Sequence, residues 1–344
     1  MLSLGGTITM TTGTSGGVVP ALSAEQLLAA IPALADMDVA IDALDFRRLP
    51  GASLGFDDLT AVIGVIRDRL GHSVDGVVVV QGTDTIEETA YLLDLHHPGP
   101  EPVVVTGAMR NPTLAGADGP ANVLAAVQTA ASTAARGAGC LVVLADEIHA
   151  ARRVRKTHST AGSTFQSPNG GPLGYVVEGQ PRLVNALPYR PVVPDPIDGR
   201  PQRVALVTIC LGDDGVLLDG LADLVDGVVV AGFGVGHVPQ HLVGKLQELV
   251  ELVPVVLASR TGAGPVLADT YGFPGSERDL LARGFTGAGF LDPLKSRILL
   301  SALLAAGADR KAITSAFAVA GGHGDPATWP WTLATTERDG AAGA

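Results

Sequence analysis

The sequence predicts an α/β protein of two parallel-sheet domains, the larger N-terminal one doubly wound (flavodoxin-like) and the C-terminal one a smaller α/β domain. Three observations lead there. Short valine-rich runs at 77–80, 103–106 and 228–231 are of the kind buried on both faces of a parallel sheet. Stretches of helical apolar period alternate with them, which is the pattern of parallel α/β folds. Five prolines fall within residues 188–201 and mark an extended linker. The expected division is therefore 1–187, a linker at 188–202, and 203–344.

Along the chain, residues 1–4 supply only a stub of a first strand before Gly5-Gly6-Thr7, and 9–19 is a Gly/Thr/Ser-rich surface loop without apolar period. Ser23 with Gln26 forms a capping box for a helix to about residue 31. A strand is expected at 39–46, a helix at 57–70, and the valine strand at 77–80. After Gln81-Gly82, the residues Ile86, Ala90, Leu92, Leu93 and Leu95 share one side of a helix, and Thr85 with Glu88 reads as its capping box. A strand at 103–106 leads through a long loop to an alanine-rich helix near Pro120, and 141–145 is another strand. Residues 152–175 are polar, glycine-rich and aperiodic; a loop of that length is more often functional than idle. Beyond the linker come strand 204–209, helix 217–224, strand 228–231, helix 239–252 and strand 255–259. A last helix starts at Asp292-Pro293 and runs through 304, and 341–344 is a frayed tail.

Composition excludes several classes. The 344 residues carry a net charge of −12, which argues against a nucleic-acid or anionic-membrane surface. No apolar run reaches membrane-spanning length, and the start MLSLGGTITM lacks the features of a secretion signal. Cys140 and Cys210 sit in apolar runs far apart and are expected to be buried free thiols, with the cytoplasm as the compartment.

Three local motifs fail on context. Gly51-Ala52-Ser53-Leu54-Gly55 matches G-x-S-x-G, but Pro50 precedes it and helix signals wait until Asp57, so a glycine-bounded turn is the better reading than a serine-hydrolase elbow. The Gly232-x-Gly234-x-Gly236 run places His237 where a dinucleotide loop needs its third glycine. His237 and His241 flank a helix-starting Pro239 without an evident third metal ligand. Trp329 and Trp331 read as a packing anchor. Neither a dinucleotide loop nor a zinc site is expected from these motifs.

Four polar features remain beside glycine-rich turns: Thr7, Thr83-Asp84, Lys156-Thr157 and Glu277. A threonine hydroxyl needs a base or a cation to become a nucleophile, and a desolvated lysine beside an aspartate can relay a proton. Glycines ahead of each threonine let a substrate approach the backbone and leave amide N–H groups for an oxyanion. Each threonine taken singly reads better as a turn or helix cap, and Lys156 is then a solvated charge. Two Gly-Thr turns after apolar strands in one domain favour chemistry.

The segments LGGTI, QGTDTIEETAYLLDL, TGAMRNPTLAGADGPANVLAAV and RKTHSTAGSTFQSPNGGPLGYV together resemble the bacterial-type L-asparaginase (asparaginase/glutaminase) family, and GFGVGHVP and GFLDPLKSRILL extend the likeness through the second domain. The resemblance implies hydrolysis of the side-chain amide of L-asparagine to L-aspartate and ammonia, without metal or cofactor. It implies Thr7 as the nucleophile, and Thr83, Lys156 and Asp84 as a second triad in which Asp84 grips the substrate's α-amino group. It places Gly51-Ala52 at the α-carboxylate, Ala108 in the substrate site, and Glu277 as an acid reaching a neighbouring subunit's site in a homotetramer built as a dimer of dimers.

The chain departs from the family pattern at four places. Leu4 and Gln81 stand where the family has threonine and histidine, Gly51 where it usually has serine, and Val18 where the mobile loop carries an assisting tyrosine. Losing such a group typically lowers rates by about 10²–10⁴. Three readings therefore stay open: asparagine hydrolysis, with the Thr83–Lys156 pair carrying more of the chemistry; hydrolysis of glutamine or another small amide; and amino-acid binding without turnover. The amidotransferase-subunit variant of the family has an extra N-terminal domain that is not found here.

Overall fold

A computed structural model of the chain describes residues 1–12, 18–20, 22–72, 74–197, 200 and 202–334. Two compact units divide the chain at Arg190/Pro191: the first runs from Met1 to Arg190 and regains the chain at Ala334, which bridges to Arg190, and the second is Pro191–Leu333. The tail expected at 341–344 and the middle of the 9–19 segment lie outside the described residues.

The first unit begins with β1 (Leu2–Ser3), a hairpin of β2 (Met10–Thr12) and β3 (Val18–Pro20), and α1 (Ala24–Ala29), whose Ser23/Gln26 capping box forms as expected. Of the strand expected at 39–46 only β4 (Leu44–Asp45) pairs. Then follow α2 (Phe56–Leu70), β5 (Val77–Val80), α3 (Ile86–Leu95), β6 (Val103–Thr106), α4 (Gly119–Ala130), β7 (Cys140–Leu144) and β8 (Glu147–Ala150). The aperiodic 152–175 stretch contains a small hairpin, β9 (Arg155–Lys156) with β10 (Phe165–Gln166), and enters β11 (Gly174–Val177), which pairs with β12 (Gln180–Leu183).

Strand order in the main sheet is β12-β11-β8-β7-β6-β5-β1-β4, parallel from β4 to β7 and antiparallel beyond. Alternate valines feed opposite layers, which is why both faces of the runs are apolar. Val78, Val80 and Val104 pack with Val123 and Val127 of α4, whereas Val77, Val79 and Val105 pack with Ile86, Ala90 and Leu93 of α3. Leu4, the residue in place of a threonine, is fully buried in that second layer. Successive strands leave β1 in opposite directions, β4 to one side and β5 to the other. Such a switch point opens a crevice at the carboxyl ends of the two diverging strands, here β1 and β5, where Thr7 and Thr83 follow.

The second unit is a four-stranded parallel sheet in the order β13 (Val204–Thr208), β14 (Gly227–Gly232), β15 (Val255–Ser259), β16 (Thr286–Gly287), with α5 (Val243–Leu252), α6 (Glu277–Ala282), α7 (Pro293–Ala305) and α8 (Arg310–Ala320). Asp292 caps α7 as expected, its side chain accepting the Lys295 amide. The helix expected at 217–224 is instead two 3₁₀ turns, because Gly220 between them is left-handed at φ 70°. Cys140 is buried, but Cys210 is exposed, since the chain turns outward after Ile209. Trp329 is buried, stacks edge-on against Trp331 and donates Nε1 to the Val192 carbonyl.

Candidate active site

Three glycines at the ends of three segments touch one another through their backbones. A Cβ on Gly6 would lie 2.1 Å from the Gly82 nitrogen, one on Gly82 2.6 Å from the Gly51 nitrogen, and one on Gly51 2.8 Å from the Gly82 carbonyl oxygen. The glycines are therefore required by turn-on-turn packing, and not chiefly to admit a substrate, as their place before each threonine suggests in the sequence. This junction sets Thr7, Ala52 and Thr83, each the next residue in its turn, around one point of the switch crevice.

Each turn is pinned locally. The Thr9 hydroxyl donates to the Gly6 carbonyl at 2.9 Å and closes the 3₁₀ turn Thr7–Thr9. Buried Gln81 donates Nε2 to the Gly82 carbonyl and to Thr85 Oγ1, both at 3.2 Å, and the Thr85 hydroxyl donates to the Gly51 carbonyl at 3.1 Å. Thr85 makes no side-chain cap bond to α3. The capping box expected for Thr85 and Glu88 is thus replaced by a tie between two turns 34 residues apart. Gly51 and Ala52 open the 3₁₀ turn Gly51–Ser53, so their amide N–H groups have no acceptor within it. Ser53 is exposed in that turn and Gly55 separates it from α2, which leaves no strand–serine–helix elbow.

Lys156 Nζ donates to Thr83 Oγ1 at 2.9 Å and lies 3.8 Å from Asp84 Oδ1. Thr83 is buried, the Lys156 side chain is 18% exposed and that of Asp84 55%. Lys156 reaches this place from β9, where its amide donates to the carboxylate of buried Glu87 in the first turn of α3 at 3.3 Å. An ammonium so placed stabilises negative charge on Thr83 Oγ1, while the half-exposed Asp84 keeps its outer oxygen available to a cationic group. The Thr7 hydroxyl makes no hydrogen bond among the described residues. Ala108 is buried just after β6, and the preceding Gly107 packs so closely that its Cβ would lie 3.3 Å from Thr83 Cγ2.

Glu277 lies in the second unit with its carboxylate fully buried, accepting the Thr270 and Tyr271 amides at 3.0 and 2.8 Å and facing His237 Nε2 at 3.1 Å. Burial works against its charge, but the Tyr271 amide, its own amide and His237 together outweigh burial and hold its pKa below the usual value. Both its oxygens are engaged inside its own unit, which gives the carboxylate a structural task there. His237 and His241 have separate partners, Glu277 and the Asp213 carbonyl, and the described residues contain no metal-binding cluster. The 232–236 glycines form a tight turn closed by the Phe233–His237 bridge. Val18 begins β3, and its side chain lies outside the described residues.

A recess of about 760 Å³ lies at the opposite, amino-terminal end of the strands, lined by Met1, Ile41, Arg69, Val77 and Ala130 among others, and includes none of the predicted site residues. Glu87 and the Gln81–Thr85 tie are not foreseen in the sequence. The only signal for either is polar residues at positions where an apolar helix start or strand end would suffice.

Residues 1–189 match the family model described as Asparaginase, N-terminal, and 203–317 the Glutaminase/Asparaginase C-terminal domain. The chain is 37% identical over 262 residues to a probable L-asparaginase of Deinococcus radiodurans, covering 73% of this chain and 77% of that one. It is 33% identical over 301 residues to a glutaminase-asparaginase of Pseudomonas aeruginosa, covering 85% and 81%. The crystal structure of a probable cytoplasmic L-asparaginase from Campylobacter jejuni superposes with a TM-score of 0.82 at 32% identity, over 92% of this chain and 97% of that one. With both domain models matched across the chain and the threonine turns meeting at the switch point, the chain belongs to the asparaginase family and is an amidohydrolase of the asparaginase type.

Proposed function

We propose that the chain hydrolyses the side-chain amide of L-asparagine to L-aspartate and ammonia, with Thr7 as nucleophile. The observation that carries this reading is the bond from Lys156 Nζ to Thr83 Oγ1. An ammonium on that oxygen makes the Thr83 hydroxyl a better acid, so its own proton is directed to whatever occupies the crevice. Thr7, whose hydroxyl makes no hydrogen bond among the described residues, attacks the amide carbon through Oγ1. As the C–N bond breaks, Thr83 hands its proton to the departing nitrogen and is re-protonated by Lys156, and the proton given up by Thr7 restores the Lys156 ammonium, so ammonia leaves with no net proton gained or lost. Water then cleaves the ester, its hydroxyl going to aspartate and its other proton to Thr7 Oγ1. Asp84 receives the α-ammonium, and the Gly51-Ala52 amides face the α-carboxylate. The subunit acts as part of a homo-oligomer, with the tetramer implied by the family likeness.

A second reading, preference for glutamine or another small amide, is favoured by Gly51. It offers backbone N–H groups but no hydroxyl to the carboxylate, and so fixes the substrate's length less strictly. Ammonia release from L-asparagine, L-glutamine and simple aliphatic amides tests both. Hydrolysis of asparagine ahead of the others supports the proposal, and activity confined to amides lacking an α-carboxylate overturns it.

A further inference from the structure

Asp118 occupies the position before the first turn of α4, where an aspartate ordinarily accepts amides of its own helix. It does not do so. Its backbone is already helical at φ −92°, ψ −13°, and its side chain makes no cap bond. Instead Oδ2 accepts the Met109 amide at 3.0 Å and Oδ1 the Arg110 amide at 2.8 Å. One helical turn later, buried Asn122 donates Nδ2 to Asp118 Oδ2 at 3.1 Å and to the Gly107 carbonyl at 3.0 Å, and its Oδ1 accepts the Ala145 amide at 3.0 Å. All three partners of Asp118 are donors. The helix end is thus left without its side-chain cap while the segment around Ala108 is held from both sides.

We infer that Asp118, supported by Asn122, is a positioning residue that fixes the Ala108 backbone against Thr83 and thereby sets the seat of the scissile amide. The inference rests on the proposed amide hydrolysis for its functional half. Its structural half is independent, because Gly107, pressed against the Gln81 carbonyl and the Thr83 methyl, leaves Ala108 no alternative path once Asp118 and Asn122 are engaged. An amide cannot replace the carboxylate. In Asp118→Asn, either orientation of the new side chain turns its NH₂ toward an N–H donor and leaves at least one bond unmade.

The test uses the whole protein. In the unaltered chain, hydrogen exchange at the Met109 and Arg110 amides should be as slow as in α4 and far slower than at Ala115 in the same loop; exchange as fast as at Ala115 overturns the inference without any variant. In Asp118→Asn, exchange at these amides and KM for L-asparagine should each rise about tenfold, what one lost hydrogen bond gives. A lowered melting temperature with unchanged KM and unchanged exchange at 109–110 would show a merely structural helix start and overturn it. If the unaltered protein releases no ammonia from asparagine, the proposed function fails, and the exchange measurements still decide the role of Asp118.

Discussion

Lys156 and Thr83, separated by 73 positions in the chain, meet at 2.9 Å only because two independent constraints deliver them there. One is the β9 hairpin, held by Glu87 to the start of α3; the other is the tight seat of Thr83 between Gly82 and Gly107. The ammonium is the group that makes this threonine more than a turn residue. Lys156→Met keeps the length of the side chain and its packing but removes the charge. It should lower kcat by about 10²–10⁴ with a melting temperature within a few degrees of the parent, as measured by ammonia release and thermal unfolding. A loss of less than about threefold would remove Lys156 from the chemistry.

The glycine junction predicts a contrast between two Gly→Ala changes. At Gly6, φ is +87° and a new Cβ would overlap the Gly82 nitrogen, so Gly6→Ala should cost at least ~2–3 kcal/mol and abolish turnover. At Gly64, inside α2, nothing lies within 4 Å of a new Cβ, and Gly64→Ala should stabilise the chain by ~0.5–1 kcal/mol without changing activity. Chemical denaturation of the two variants checks both signs.

Acid sensitivity has an identifiable source in His149. Its ring is buried, with Nδ1 on Ser167 Oγ at 3.0 Å, and burial pushes its pKa down to about 4. Glu147 Oε2 lies 3.2 Å from Nε2 but is on a 40% exposed side chain and out of hydrogen-bond alignment, and burial decides the shift. The unfolded chain therefore binds a proton near pH 6.5 that the folded chain refuses until about pH 4. Stability is full above pH 6.5 and falls as pH drops from there toward 4, by up to about 3 kcal/mol. His149→Gln should flatten that part of the stability–pH curve, as read by urea midpoints at about pH 7, 6, 5 and 4.5.

Much of the fold, and of the arrangement at the candidate site, was legible in the sequence, and the exceptions share a cause. The valine runs, the Ser23 and Asp292 caps and the alternation of elements are local patterns, and each appears where its pattern lies. Thr85 reads as a cap because Glu88 stands at the right spacing, yet the Gly51 carbonyl offers its hydroxyl a partner from a distant segment. Gly220 interrupts an apolar pattern that otherwise reads as one helix. The enclosure of Glu277 is invisible in the sequence because His237 and the 270–271 amides around it are brought together only by folding of the second unit. Tertiary hydrogen bonds overrule local spacing in the first and last cases, and backbone conformation does so at Gly220.

The most direct measurement is intact-protein and peptide mass spectrometry after rapid acid quenching of the protein with L-asparagine. A Thr7 nucleophile predicts an aspartyl ester on the peptide containing Thr7, absent in Thr7→Ala. An adduct on the peptide containing Thr83, or one that persists in Thr7→Ala, would contradict the assignment of Thr7.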